Sequence, residues 1–405
     1  SNFSNMSEFS THQSQKIADL TELFEAIIYK QKAAETIHKF QPTTIANITP
    51  DDVVIFVHQL VDSGYPMDDI KSGINKLLNV LRRPLDDFRY EKPADDSFFG
   101  VCIQNNAQAI SHLNKIRPYI LEINKKALTS EIKTELITLW TDVQKFTDYY
   151  LIKENILFPL VEKYVADYRC ISVMWSIHDD IRKNINQLID ILNLNDTDLK
   201  HLNRLTGDIF YNIYSIIFRE ERLLFPVIQK YIPADEIENI WNESVESGFP
   251  YINPLKKDTE QQNNPVPADL IELKSGQLTA EQIVLVFSHL PVDITFVDEN
   301  NKVRFFSTPK ERIFHRTNAV IGRDVHNCHP KESVHVVEQI VEAFRAGKKD
   351  KADFWISMRN GKRVLIQYFA VRNEQNEYKG VIEVTQEISE IQRLEGDRRI
   401  LDWEE

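Results

Sequence analysis

Cysteine is scarce in this 405-residue sequence: only Cys102, Cys170 and Cys328 occur. Their spacing fits neither a disulfide framework nor a C-x-x-C metal clip, so a reducing, cytoplasmic compartment is expected. No stretch approaches the roughly 18 uncharged apolar residues of a membrane span, and the polar N-terminus lacks the apolar core of a signal peptide. Positive charge is in the minority. The 48 Lys and Arg against 61 Asp and Glu give a net charge of −13, which argues against nucleic acid or an anionic membrane as the main partner. A Gly-rich phosphate loop, a Gly-x-Ser-x-Gly elbow and a His-Glu-x-x-His pair are all missing, so nucleotide hydrolysis and triad hydrolysis have no support.

What the chain does have is length for two to four domains, 42% apolar residues to fill their cores, and an internal duplication. Glu154 to Tyr164 reads E-N-I-L-F-P-L-V-E-K-Y, and Glu221 to Tyr231 reads E-R-L-L-F-P-V-I-Q-K-Y. A lone helical histidine precedes each copy at nearly the same remove, His112 before the first and His178 before the second. The repeat unit is a helix pair. Two pairs make a four-helix bundle, an architecture that builds metal sites from inward-facing His and Glu.

Along the chain, the polar segment from Ser1 to about His12 is set aside as a frayed terminus, and the pattern is helical from Lys16 onward. A small all-helical module is expected over 14–82, with Thr49-Pro50-Asp51-Asp52 opening one helix and Gly64-Tyr65-Pro66 closing it. After a polar linker from Arg82 to Asp96, the bundle spans 98–248. A second linker, rich in Asn, Gln, Pro and Lys, covers 249–277. Periodicity then turns mixed. Strands are expected at 293–297 and 302–306, helices over 311–318 and 332–346, and strands near 353–358, 363–372 and 378–386. This order gives an antiparallel α+β domain over 278–390, followed by a charged exit helix at 391–405.

The bundle resembles the hemerythrin/HHE cation-binding family, and the last domain resembles a PAS sensor domain. Together they resemble a bacterial and archaeal family with an N-terminal helical module, an HHE bundle and a C-terminal PAS domain. The residues that carry the likeness are Val173 to Arg182, the two Leu-Phe-Pro repeats, Leu290 to Asp298, and Asn327-Cys328-His329-Pro330. The resemblance implies a His on the first and third bundle helices, matched by His112 and His178. It also implies a His-x-x-x-Glu on the second and fourth, which this chain lacks: Tyr149 and Lys153 stand in the first place, Ile216 and Glu220 in the second. Where the related family's N-terminal module carries Cys-Asp-x-His, this chain has Ile74-Asn75-Lys76-Leu77.

The candidate metal residues are therefore His112, His178, Glu220, Glu221, Glu154, Tyr149 and Tyr150. Glu154 and Glu221 lie one residue beyond the usual carboxylate position and need a local helix distortion near Pro159 or Pro226 to face the core. Iron is the implied cofactor, as a di-iron centre, a mononuclear site or haem, and a metal-free polar core is the alternative. Cys328, His329, His326 and His335 are the candidate ligand residues of the PAS domain. Three functions stay open: a sensor of oxygen, nitric oxide, redox state or a small ligand that relays to a signalling partner; an interaction scaffold with a decayed metal site; and a di-iron enzyme repairing iron–sulfur clusters. A homodimer through the PAS domain is expected.

Overall fold

A computed structural model describes residues 2–257, 270–274 and 276–398, with only the backbone described for 2–10 and Glu272. The chain divides into two compact units, 1–258 and 259–405.

The first unit is helical throughout. Its elements are α1 (Asn2–Ile28), α2 (Ala33–Phe40), α3 (Pro50–Asp62), α4 (Met67–Asp87), α5 (Phe98–Lys125), α6 (Ser130–Gln144), α7 (Thr147–Ile152), α8 (Phe158–Tyr164), α9 (Cys170–Leu192), α10 (Leu199–Arg219), α11 (Phe225–Tyr231), α12 (Ala234–Asn239) and α13 (Trp241–Ser247). Thr49 closes a capping box with Asp52, satisfying two otherwise orphaned donors at the start of α3. The helix α1 begins at Asn2, upstream of the expected Lys16, and α4 runs through Pro84 to Asp87, into the expected linker. Helices α5, α6, α9 and α10 contact one another in a closed ring, while α1 packs on α3 and α4.

One continuous core runs from Ile17 to Phe249. The expected small module and bundle are thus one body. Polar ties join them: Asn75 Oδ1 accepts Arg219 Nη2 at 2.6 Å, Lys71 Nζ reaches Asp180 at 2.7 Å, and the Tyr90 hydroxyl donates to the Glu221 carbonyl at 2.9 Å. Ile74 and Leu77 are buried apolar residues of this core. The start of the expected second linker is also structured, because Asn105 Oδ1 accepts the backbone N–H groups of Tyr251 and Ile252 at 3.0 Å each. Residues 258–269 lie outside the described residues.

The second unit has a hairpin of β1 (Leu270–Leu273) and β2 (Gly276–Thr279), which overlaps the end of the expected linker, followed by α14 (Ala280–His289). Strands β3 (Asp293–Asp298), β4 (Val303–Phe306), β5 (Lys351–Ser357), β6 (Arg363–Arg372) and β7 (Tyr378–Glu387) form one antiparallel sheet in the order β4-β3-β7-β6-β5. The remaining helix, α15 (Lys331–Arg345), packs Val341 and Phe344 against Val381 of the central strand.

Two expectations are corrected here. The segment 311–318 is not helical: Asp293 Oδ2 accepts the backbone N–H groups of Ile313 and Phe314 at 2.7 and 3.3 Å, while Arg312 Nε donates to the Phe314 carbonyl at 2.7 Å. Side chains satisfy a backbone that a helix would have paired internally. The exit helix reduces to one 3-10 turn at Ile391–Arg393 with no helix through 398, and 399–405 lie outside the described residues.

Candidate functional site

The duplicated Phe-Pro steps each follow a π-helical turn, Lys153–Leu157 in the first copy and Glu220–Leu224 in the second. Proline cannot donate a backbone hydrogen bond, and the wider turn absorbs the mismatch by closing i→i−5, from Phe158 N–H to the Lys153 carbonyl and from Phe225 N–H to that of Glu220. The distortion turns both flanking acids inward. Glu154 Oε1 meets His178 Nδ1 at 2.9 Å, and its Oε2 accepts Arg182 Nη2 at 2.7 Å. Glu221 Oε1 accepts Asn106 Nδ2 at 3.0 Å, a group also 3.1 Å from Glu220 Oε1.

Burial decides the protonation of the first cluster. It pushes the Glu154 carboxyl up from 4.5 to about 7 against the opposing pull of Arg182, and it drives His178 well below 6.5, helped by Lys153 and Arg182. We assign His178 as a neutral imidazole donating from Nδ1 to Glu154, which leaves Nε2 an acceptor with no partner among the described residues. Its ring lies flat on Tyr150, centroids 4.0 Å apart, and the buried Tyr150 hydroxyl likewise lacks a partner there.

Beside it sits a second cluster, around Glu220. Lys153 Nζ is 2.6 Å from Glu220 Oε2, both side chains being at most 1% exposed. The Tyr149 hydroxyl donates to Glu220 Oε1, and burial raises both this phenol and the neighbouring Cys102 thiol. His112 belongs to neither cluster. It stacks on Tyr251 at 4.7 Å and has Lys115, Asp142 and Lys145 for charged neighbours.

These donors do not fit a di-metal centre. A first-row metal needs several lone pairs converging on one point, yet both oxygens of Glu154 and of Glu220 are engaged by protein donors. Among the described residues no three His, Cys, Asp or Glu side chains converge.

The second unit holds a narrow cavity of about 30 Å³, room for two or three waters. Val297, Val303, Ile340 and Val381 line it, together with Cys328, His329, Tyr368 and an ion pair, Arg316 Nη2 to Glu383 Oε1 at 3.1 Å. Burial works against the Glu383 carboxylate, but Arg316, His329 and a hydrogen bond from Tyr368 hold it below the usual range. Burial lowers His329 from the usual imidazole range, against the opposing pull of Glu383. Arg316 Nε has no partner among the described residues.

Of the four expected ligand residues, Cys328 and His329 line the cavity. His326 is held by Asp324 at 2.6 Å and His335 is exposed on α15. Haem does not fit a space of this size. Tyr368 and Glu383 were not anticipated, although a lone charge in Val381-Ile382-Glu383-Val384 was a signal. The two are cross-strand partners in the β6–β7 register and so face the cavity together.

The comparisons concern this second unit. The PAS domain family model matches residues 283–389. Similar solved structures include the C-terminal domain of a Streptococcus mutans protein, at 31% identity over 32% of this chain and 98% of that one, with a TM-score of 0.31. The PAS domain of a Colwellia psychrerythraea protein is 15% identical over 27% of this chain and 97% of its own, TM-score 0.22. A sensory box sensor histidine kinase from Vibrio cholerae is 9% identical over 26% and 88%, TM-score 0.20. No curated protein matches the chain. On the family match, the C-terminal unit of this chain carries a PAS domain.

Proposed function

We propose that this chain is a sensory or signalling protein whose PAS domain receives a small polar ligand of a few heavy atoms. The observation that carries this reading is the Arg316–Glu383 pair, with Tyr368 and His329, set inside an otherwise Val- and Ile-lined cavity. An ion pair in such surroundings costs desolvation that packing residues would not, and convergent polar groups in an apolar pocket are how ligand sites confer specificity. The unpaired Arg316 Nε supplies a donor for that ligand.

The helical unit, in this reading, is a hemerythrin-like bundle that relays the signal to a partner protein. Its support is the closed ring of α5, α6, α9 and α10 and the duplicated Phe-Pro helices. A homodimer through the PAS domain draws on exposed apolar residues: Val284, Leu285 and Val286 on α14, and Trp355, 61% exposed, on the edge strand β5. The same residues favour a binding-scaffold reading. A cytoplasmic setting follows from cysteine usage, and no helix among the described residues is long and apolar enough to cross a membrane.

The test is a thermal-shift screen of the full chain against small carboxylic acids, amino acids and neutral metabolites. At least one class is expected to raise the melting temperature of the wild type and to leave Arg316→Gln unchanged. A screen that moves neither, or moves both alike, would sink the ligand-sensing reading and leave the scaffold.

A further inference from the structure

The duplication places Lys153 and Glu220 at equivalent positions: the second copy follows the first by 67 residues, and these two side chains are separated by 67 residues. Each is the first residue of its π-helical turn. The two turns bring their opening side chains together, and the contact between them is the 2.6 Å ion pair at the centre of the helical core. One member of the equivalent pair is a cation and the other an anion.

We infer that Lys153 is the built-in cation of this core, compensating Glu220 from within the chain in the place that the family resemblance gives to a metal ion. Its ammonium meets what a buried cation requires: a carboxylate at 2.6 Å and the faces of Tyr149 and Tyr150, each 4.7 Å from Nζ. Protein donors engage both oxygens of the carboxylate, three donors against about four lone-pair sites. Its Oε2 takes Lys153, while its Oε1 takes the Tyr149 hydroxyl and Asn106 Nδ2. Arg182 does for Glu154 what Lys153 does for Glu220. An added divalent ion would meet two fixed positive charges in a low-dielectric space, where repulsion is strongly felt. His178 Nε2 and, apart from both clusters, His112 Nδ1 are buried imidazole nitrogens with no partner among the described residues, and a single donor at either place does not hold a metal. The helical unit is therefore metal-independent, and signal reception falls to the PAS domain.

The experiment uses the full chain, expressed with iron supplementation, and a double-mutant cycle. Elemental analysis of the wild type is expected to find iron far below one atom per chain. Lys153→Met strands a buried carboxylate and Glu220→Gln strands a buried ammonium, so each is expected to lower the melting temperature of the helical unit on the order of 10 °C. The double variant replaces both charges and should recover at least half of that loss. Should either single variant fail to fold, recovery of a folded chain in the double variant carries the same meaning. Near-stoichiometric iron in the wild type, or a double variant no more stable than the worse single one, would overturn the inference.

Discussion

Burial acts in opposite senses on Glu154 and His178, and the consequence is a prediction about pH. Glu154 holds its proton more tightly in the folded chain, at about 7 against 4.5. Between those values the folded state binds more protons than the unfolded one, so this group makes stability fall as pH rises. His178 is pushed well below 6.5, so below 6.5 the unfolded state binds more protons and this group makes stability rise with pH. Each slope is at most about 1.4 kcal/mol per pH unit, and below pH 6.5 the two oppose each other. His178→Asn should expose the Glu154 slope, losing about 2 kcal/mol between pH 5 and 7, whereas Glu154→Gln should expose the rising slope of His178. Urea denaturation at pH 5, 6 and 7 measures both; equal slopes in the two variants would refute the pairing. Neither partnership was legible in the sequence in full. Inward rotation of Glu154 by a helix distortion was anticipated from Pro159, but Lys153 read only as a departure from a ligand pattern. Its meaning depends on Glu220, and a repeat alignment by itself does not say that equivalent positions touch.

At the scale of elements, two glycines in helices separate close packing from open surface. A Cβ on Gly73 of α4 would lie 2.3 Å from Phe24 Cε2 and 2.7 Å from Ile28 Cγ2 of α1, and the Phe24 ring is fully buried. Gly73→Ala gains about 1 kcal/mol in helix propensity and loses about 1–3 kcal/mol to overpacking, so net destabilisation is expected. Gly207 of α10 has nothing within 4 Å of such a Cβ, and Gly207→Ala should stabilise by about 1 kcal/mol. Thermal melts of the two variants, moving in opposite directions, check both. The contrast also shows what periodicity reads well. Amphipathic helices and the alternating strands of the sheet announce themselves locally, and β6 was anticipated from Arg363 to Arg372 as found. The segment 311–318 had a helical pattern too, but its backbone is captured by Asp293 from a distant strand. No local window contains that competitor. The hairpin of β1 and β2 was missed because its strands are only four residues each and directly follow the Asn-, Gln- and Pro-rich stretch read as a linker.

For the whole molecule, the decisive feature is that each unit has hydrophobic cores of its own. The helical core runs from Ile17 to Phe249, whereas Val297, Val303, Phe306 and Val320, and separately Val341, Phe344 and Val381, form the cores of the second unit. Cooperative unfolding follows shared burial, so two transitions are expected in calorimetry of the full chain. The variants assign them. Gly73→Ala and Gly207→Ala should move only the helical transition. Glu383→Gln leaves Arg316 in the PAS cavity without its counter-charge and should move only the other, by on the order of 10 °C, from a loss of about 3 kcal/mol. A single transition displaced by both sets of variants would mean that the two units unfold as one cooperative body, and a ligand bound beside Arg316 would then stabilise the helices as well. Two independent transitions instead would leave the helical transition unmoved by such a ligand.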